Sequence, residues 1–221
     1  MNLENAAVIE FGGARLALLP ERAVVNLDSG ELYLADLHVG KSATFRANAI
    51  PIPEGDTRAD LDRLHRAIQR TGVRRVVILG DFLHAPASHL DEVWPAWRQA
   101  HTELEVVVVR GNHDAWAGDP RPEWQVELVD APLVRGELAL RHEPIVDPAR
   151  FVLAGHVHPA IRLRGSGRDR LSLPCFHVAN RLLTLPAFTR FSGGYGVRAR
   201  AGDRVFAIAE EAVMDVTALA A

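Results

Sequence analysis

Apolar residues in this chain fall mostly in short runs rather than at helical spacing. Runs at residues 6–9, 16–19 and 23–27 are separated by Gly12-Gly13, Pro20 and Asp28-Ser29-Gly30. Runs bounded by turn residues predict an antiparallel strand meander, with Asp28-Ser29-Gly30 turning into a further strand at 31–35. Only residues 56–71 show a clean helical period. Leu61, Leu64, His65 and Ile68 stand there at i, i+3, i+4 and i+7, after Asp56 as N-cap and before Gly72. Residues 88–102 predict a second helix, with Trp94 and Trp97 packing and Pro95 near its start or at a kink. Residues 41–48 predict a helical turn stopped by Ile50-Pro51-Ile52-Pro53, and residues 115–121 a connection rich in Gly and Pro. Further strands are expected at 76–79, 106–109, 126–129, 138–140, 151–154, 160–163, 178 with 182–185, and 205–209.

Five polar stretches stand where an apolar run stops. Asp36-Leu37-His38 closes 31–35, and Gly80-Asp81-Phe82-Leu83-His84 closes 76–79. Gly111-Asn112-His113-Asp114 closes 106–109, His142 follows 138–140, and Gly155-His156-Val157-His158 closes 151–154. Ligand sites in open α/β sheets lie beyond the carboxyl ends of the strands, so these groups should converge at one sheet edge.

The residue types decide the chemistry. Asp36, His38, Asp81, Asn112, His142, His156 and His158 offer oxygen and imidazole nitrogen but no thiolate. That mixture suits Mn, Fe, Co or Zn better than Ca, which prefers oxygen alone. Seven donors exceed one tetrahedral site and fit two ions sharing a carboxylate. Paired ions about 3.5–4 Å apart suit displacement at phosphorus, because they stabilise both the attacking and the departing oxygen.

These blocks, in this order, resemble the calcineurin-like metallophosphoesterases. The pattern there is D-x-H, G-D-x-x-(D or H), G-N-H-(D or E), H and G-H-x-H. Asp36-Leu37-His38-Val39-Gly40-Lys41, His84, Leu173-Pro174-Cys175-Phe176, Leu185-Pro186-Ala187-Phe188 and Gly193-Gly194-Tyr195 narrow the likeness to the ligase-associated DNA damage response endonucleases. The resemblance implies an α/β fold: a four-layer α/β/β/α sandwich of two mixed sheets flanked by helices, as one domain over residues 1–221. It implies one metal on Asp36, His38, Asp81 and His158. A second would lie on Asp81, Asn112, His142 and His156, with Asp81 bridging. Mn is the expected metal, with Fe, Zn or Co as alternatives, and a metal-bridging hydroxide is the expected nucleophile. His113 is expected as general acid, His84 beside it as an orienting or substrate-contacting group, and Asp114 as either the orienter of His113 or a loop cap. Lys41 is expected on a phosphate oxygen, with a solvated surface lysine as the alternative, and Asn112 is counted with the substrate-binding residues as well as the ligands.

Composition adds less. The 221 residues suffice for one domain with a large core. A net charge of -3 gives no global attraction to nucleic acid or an anionic membrane. The single cysteine, Cys175, excludes an internal disulfide framework and fits a reducing cytoplasm. Residues 1–13 carry Glu4 and Glu10 and do not read as a secretory signal, and no apolar run is long enough to span a bilayer. His65 reads as a core or boundary histidine, and His89, His101 and His177 as residues outside the chemistry. Arg162, Arg164, Arg168, Arg170, Arg181, Arg190, Arg198, Arg200 and Arg204 form a series broken by Asp169 and Asp203, which favours a solvated face over a phosphate track. Gly165-Ser166-Gly167 and Ser192-Gly193-Gly194 are the candidate mobile loops. The leading reading is a two-metal phosphodiesterase, a DNA endonuclease in repair. The alternative is a phosphohydrolase of a small nucleotide or phosphomonoester, and a third class is a non-catalytic scaffold, which filled ligand positions disfavour. A DNA ligase and a helicase are partners implied by the resemblance, and self-association is left open.

Overall fold

The alternation of side chains along each strand builds two faces, and both are buried in this chain. The computed structural model describes residues 1–47, 56–164 and 170–220, without the side chains of residues 43, 46, 47, 56 and 164. The first sheet has the order β1 (Ala7–Phe11), β2 (Ala14–Leu19), β3 (Ala23–Asn26), β4 (Glu31–Leu34), β5 (Arg75–Leu79), β6 (Glu105–Val109) and β7 (Glu127–Val129). β1 to β4 form the expected antiparallel meander, and β4 to β7 run parallel. The turn into β4 is held by Asn26 Oδ1, which accepts the amides of Asp28 and Ser29.

Helices α1 (Lys41–Ala47), α2 (Asp56–Thr71), α3 (Val93–Gln99) and α4 (Asn112–Ala117) belong to this half. Leu32, Leu34, Val76, Ile78, Val106 and Val108 face α2 and α3, packing on Leu61, Leu64, Ala67, Ile68 and Trp94. The alternate residues Tyr33, Ala35, Val77, Leu79, Val107 and Val109 face the second sheet. That sheet comprises β8 (Leu133–Arg135), β9 (Leu138–Leu140), β10 (Phe151–Ala154), β11 (Pro159–Arg164), β12 (Arg170–Ala179), β13 (Leu182–Thr184), β14 (Tyr195–Gly196), β15 (Arg204–Ala209) and β16 (Ala212–Asp215). Leu140, Leu153, Phe176, Leu183 and Phe206 close the central core. The sandwich is that of the calcineurin-like fold, with unequal outer layers. Over the second sheet, Ile161, Cys175, Val205 and Ala207 are covered by Val216 and Ala220, which flank a 3-10 turn at Thr217–Leu219.

Several elements differ from the pattern-based expectation. The helix expected at 88–102 is a 3-10 turn, Pro86–Leu90, followed by the short α3. Asp91 makes the break, since its Oδ1 accepts the amides of Val93 and Trp94 and starts a new helix. The connection expected at 115–121 begins inside α4. His65 is exposed rather than core, because α2 buries Asp60 and Arg63 beside Leu64 and Ala67. β8, β14 and the first half of β12 carry no long run of apolar residues, and the three-residue run of β16, Ala212 to Met214, lies outside the expected strands. The Pro51 and Pro53 stop, the Asp56 cap, the 165–167 loop and the side chains of Arg164 and Arg168 lie outside the described residues.

Candidate metal centre

β4, β5 and β6 are parallel in one sheet, and β9 and β10 are parallel in the other. Their carboxyl ends meet along one edge of the sandwich. Asp36 and His38 follow β4, Asp81 follows β5, and Asn112 to Asp114 open α4 after β6. His142 follows β9, and His156 and His158 lie between β10 and β11. The expected residues are thus brought together.

The loops are sewn to one another by backbone. His38 N donates to Asp81 O at 2.9 Å and Val39 N to Phe82 O at 2.7 Å. Phe188 N donates to Ala35 O at 2.7 Å, so the Leu185-Pro186-Ala187-Phe188 stretch braces the Asp36 loop. Five of the donor residues hold a left-handed backbone: Asp36 (φ 57°), His38 (50°), Asp81 (51°), His156 (70°) and His158 (53°). Such angles are rare outside glycine and cluster at functional sites. Gly80 also has a positive φ, 76°, and a Cβ there would run into the His142 ring. A Cβ on Gly111 would strike the Asp81 backbone nitrogen, which is why glycine precedes both polar residues.

Beside a trio of imidazoles, His38, His84 and His113, two groups of donors that include a carboxylate result. Asp36, His38 and His158 form one, and Asp81, His142 and His156 the other, each with ligand atoms within 4.8 Å of one another. Asp81 spans them, with Oδ2 3.8 Å from His38 Nε2 and Oδ1 3.3 Å from His142 Nε2. Asp36 Oδ1 lies 3.4 Å from His158 Nε2.

The donors fit a cation by a simple test. His142 Nδ1 lies 3.0 Å from the Leu79 carbonyl, which can only accept, so this nitrogen carries the proton. Neutral His142 therefore has a lone pair on Nε2. That lone pair faces Asn112 Oδ1 at 2.9 Å, Asp81 Oδ1 at 3.3 Å and His156 Nδ1 at 3.0 Å. Acceptors converging on one point repel unless a positive charge sits among them. His158 repeats the arrangement, its Nδ1 3.3 Å from the Gly193 carbonyl and its Nε2 toward Asp36. A carbonyl behind the imidazole, fixing the tautomer and aiming the other nitrogen, is the usual support of a metal-binding histidine.

Electrostatics agree. Burial, and then Lys41, hold the His38 imidazole well below its usual range, in the neutral form that ligates. Burial raises the Asp81 carboxyl, with Asp36 adding to the rise against the pull of His142. A divalent ion between them would reverse that shift. For His158, burial pulls downward, but the hydrogen bond and charge of Asp36 outweigh it and raise the imidazole.

His113 is oriented by a backbone group: its Nδ1 lies 2.8 Å from the His84 carbonyl, so Nδ1–H donates and Nε2 faces the site. Its amide donates to Asp81 Oδ1 at 3.0 Å. His84 stacks flat on His113, ring centres 4.9 Å apart, and is pushed down to about 4 by burial, Lys41 and His113. Asp114 does not touch the His113 imidazole. Its buried carboxylate accepts Leu83 N at 2.8 Å and Gly111 N at 2.9 Å, the contacts of a loop brace. Lys41 is half-buried rather than solvated. Burial lowers its pKa while Asp36, Asp81 and Asp60 pull it back, and its Nζ lies 5.9 Å from the Phe191 ring centre.

Sequence reasoning missed the surroundings. Phe45 stacks on His84 and packs edge-on against Phe191. Ser88 Oγ accepts the amides of His84 and Ala85. Arg22 holds the carbonyls of Ala187 and Thr189 behind the Asp36 loop. None of these has a motif signal: Phe45 and Arg22 act across a large sequence distance, and Ser88 acts only on backbone amides. His177 pairs with Asp203 at 3.0 Å, His65 with His101 at 2.8 Å, and His89 reaches the Ala117 carbonyl, all apart from the donor groups.

Comparisons with known proteins agree with this geometry. The family described as calcineurin-like phosphoesterase matches residues 32–156. The crystal structure of Pseudomonas putida nuclease MPE is 37% identical, with a TM-score of 0.85, covering 96% of this chain and 100% of its own. Yfce, a phosphoesterase from E. coli, aligns at 16% identity and a TM-score of 0.40, over 85% of this chain and 98% of its own. No match is found among curated protein sequences. With more than half its length in the family match, the chain belongs to the calcineurin-like phosphoesterases, metal-dependent enzymes of phosphate ester cleavage.

Proposed function

We propose that this phosphoesterase hydrolyses phosphodiester bonds in DNA, as an endonuclease of repair, with two divalent ions. The observation that carries the nuclease reading is the likeness to a nuclease over 96% of the chain at 37% identity. Asp36, His38, Asp81 and His158 would hold one ion, and Asp81, Asn112, His142 and His156 the other. When bound, the ions supply Lewis acidity to the phosphoryl group. Mn²⁺ is the proposed metal, because imidazole-rich mixed shells favour it over Mg²⁺.

The chain's own residues do the rest. Lys41, held beside Asp36 and Asp81, neutralises a phosphate oxygen. Asn112 sits at the exposed lip, where it also meets substrate. His113 presents Nε2, with Nδ1–H tied to the His84 carbonyl, and when protonated at Nε2 it hands that proton to the leaving oxygen. His84 keeps His113 in place by stacking and by that carbonyl. Cytoplasmic location and service beside a DNA ligase and a helicase belong to the same proposal.

The test is hydrolysis with Mn²⁺ of bis-p-nitrophenyl phosphate, p-nitrophenyl phosphate, single-stranded DNA and duplex DNA. Diester and DNA cleavage above monoester cleavage is expected. Rapid hydrolysis of small phosphate esters with no cleavage of DNA would overturn the nuclease reading in favour of a small-molecule phosphohydrolase.

A further inference from the structure

A second cationic feature adjoins the donor groups. A cavity of about 170 Å³ opens beside His158, walled by Arg22, Arg190 and the Ser192-Gly193-Gly194 loop. Arg22 sits at a turn with φ 63° and is fixed by Nη1, which donates to Ala187 O at 3.2 Å and Thr189 O at 2.9 Å. Its Nε and Nη2 have no protein acceptor among the described residues. Arg190 places its amide on Asp60 Oδ1, while its exposed guanidinium has no carboxylate partner among the described residues. Arg63, directly behind, is bound to Asp60 at 2.6 Å. Asp60 is thus taken up by Arg63 and by the Arg190 amide, and the Arg22 and Arg190 side chains line the cavity. Burial, then the neighbouring Arg63, push Arg22 down to about 10, the mark of a cation short of anionic partners.

The loop supports an anion as well. Gly193 has neither a positive φ nor any atom within 4 Å of a would-be Cβ, so neither strain nor crowding accounts for glycine there. Its carbonyl is committed to His158, and no acceptor is recorded for its amide or that of Gly194 among the described residues. A bare backbone at a cavity wall lets a phosphate approach the amides closely.

We propose that this cavity is a phosphate subsite, seating a phosphodiester of the same strand that lies next to the one being cleaved. The subsite rests on the nucleic-acid reading above. Arg22 and Arg190 grip the neighbouring phosphate, and His158 marks the border with the metal centre. The enzyme then measures two phosphates along a strand, although the chain as a whole is acidic.

Kinetics on Arg190→Ala and Arg22→Lys test this. Arg190→Ala removes an exposed side chain and leaves the fold intact, whereas Arg22→Lys keeps charge at a position that also braces backbone. On a short single strand, Arg190→Ala is expected to lose roughly tenfold in kcat/KM, the worth of one hydrogen bond to a charged group. The loss should fall in KM, with the salt slope shallower by about 0.7. Hydrolysis of bis-p-nitrophenyl phosphate, which has one phosphate, should stay unchanged. Equal loss on both substrates, or none on DNA, overturns the subsite. Should DNA prove not to be a substrate at all, sulfate decides the matter separately. Sulfate is expected to raise the Tm of the metal-loaded wild type more than that of Arg190→Ala. An equal rise in both overturns the subsite whatever the substrate.

Discussion

The two sheets make unequal contributions to one site. The first is sheathed by helices and has a thick outer core, with Trp94, Trp124, Phe82 and Phe188 buried in it. The second has a thin outer layer of small residues, Ala139, Val152 and Ala154 at one end and Cys175 and Ala207 at the other. The division extends to the chemistry. Asp36, Asp81 and Asn112, every oxygen donor, come from loops of the first sheet, and His142, His156 and His158 from the second. His38, also from the first sheet, already lies beside Asp36 and Asp81, and the other three imidazoles join the oxygen donors only because the sheets are stacked. Bound metal would therefore tie a half with a thick outer core to one with a thin outer layer.

The sharpest way to break the comparison is Asp81→Asn. Asp81 belongs to the first sheet yet lies between both donor groups. Outer partners of metal ligands are worth roughly 10–100-fold, so loss of a shared ligand should exceed that. Metal content and turnover of the purified variant are the readouts, and two retained ions with native turnover would remove Asp81 from its bridging role.

His113→Ala should come next. It is expected to keep both metals and to slow DNA cleavage by roughly 10²-fold, the low end of general acid assistance. Nitrophenyl esters, whose leaving groups need no proton, should suffer less. Equal losses on both would leave His113 as a positioning group.

The stiffness of the two halves can be compared by truncation. Trp94→Ala should cost about 3–5 kcal/mol, because a fully buried indole leaves a large cavity. Cys175→Ala, on the thin outer face, should cost roughly 1 kcal/mol, since it removes a single sulfur from a small cluster. Denaturant midpoints give both values, and similar losses would erase the distinction.

Chelation should have a smaller effect on overall stability than Trp94→Ala but the most informative pattern. At a metal concentration of 100 times Kd, occupancy stabilises by about 2.7 kcal/mol. Removing the ions should lower Tm by several degrees, at roughly 2–4 °C per kcal/mol for a chain of this size. Hydrogen exchange should quicken in β9, β10 and β11 before β4, β5 and β6. Uniform quickening would mean that the two sheets open as one unit.

Much of this division was written in the apolar pattern, but not all. The runs ending at Asp36, Asp81, Asn112, His142 and His156 were legible because buried parallel strands are continuous apolar runs, and site loops follow their carboxyl ends. α2 was legible in extent and, through buried Leu61, Leu64 and Ile68, in most of its face. Only His65 departs: it lies in solvent, while Arg63 is buried against the Phe188 ring and pairs with Asp60 one turn back. β12 was hidden by Pro174 and by its exposed first residues, Arg170 to Ser172. Asp114 fell to the loop-cap side of its two readings, and the His84 carbonyl behind His113 was out of reach, since a backbone partner leaves no residue type to read. Arg22 and Arg190 are 168 positions apart, and only folding makes them neighbours.

The left-handed backbone at the donors also explains a spacing. Asp36 and His38 are both left-handed, with buried Leu37 between them, and His156 and His158 repeat the arrangement around Val157. The i, i+2 interval of both motifs is then a matter of backbone handedness rather than strand pleat. Each such residue costs about 1–2 kcal/mol relative to a right-handed one, so glycine at any of the five would relax the chain. Aspartate and histidine at these angles therefore place the donor set at odds with the local stability of the chain.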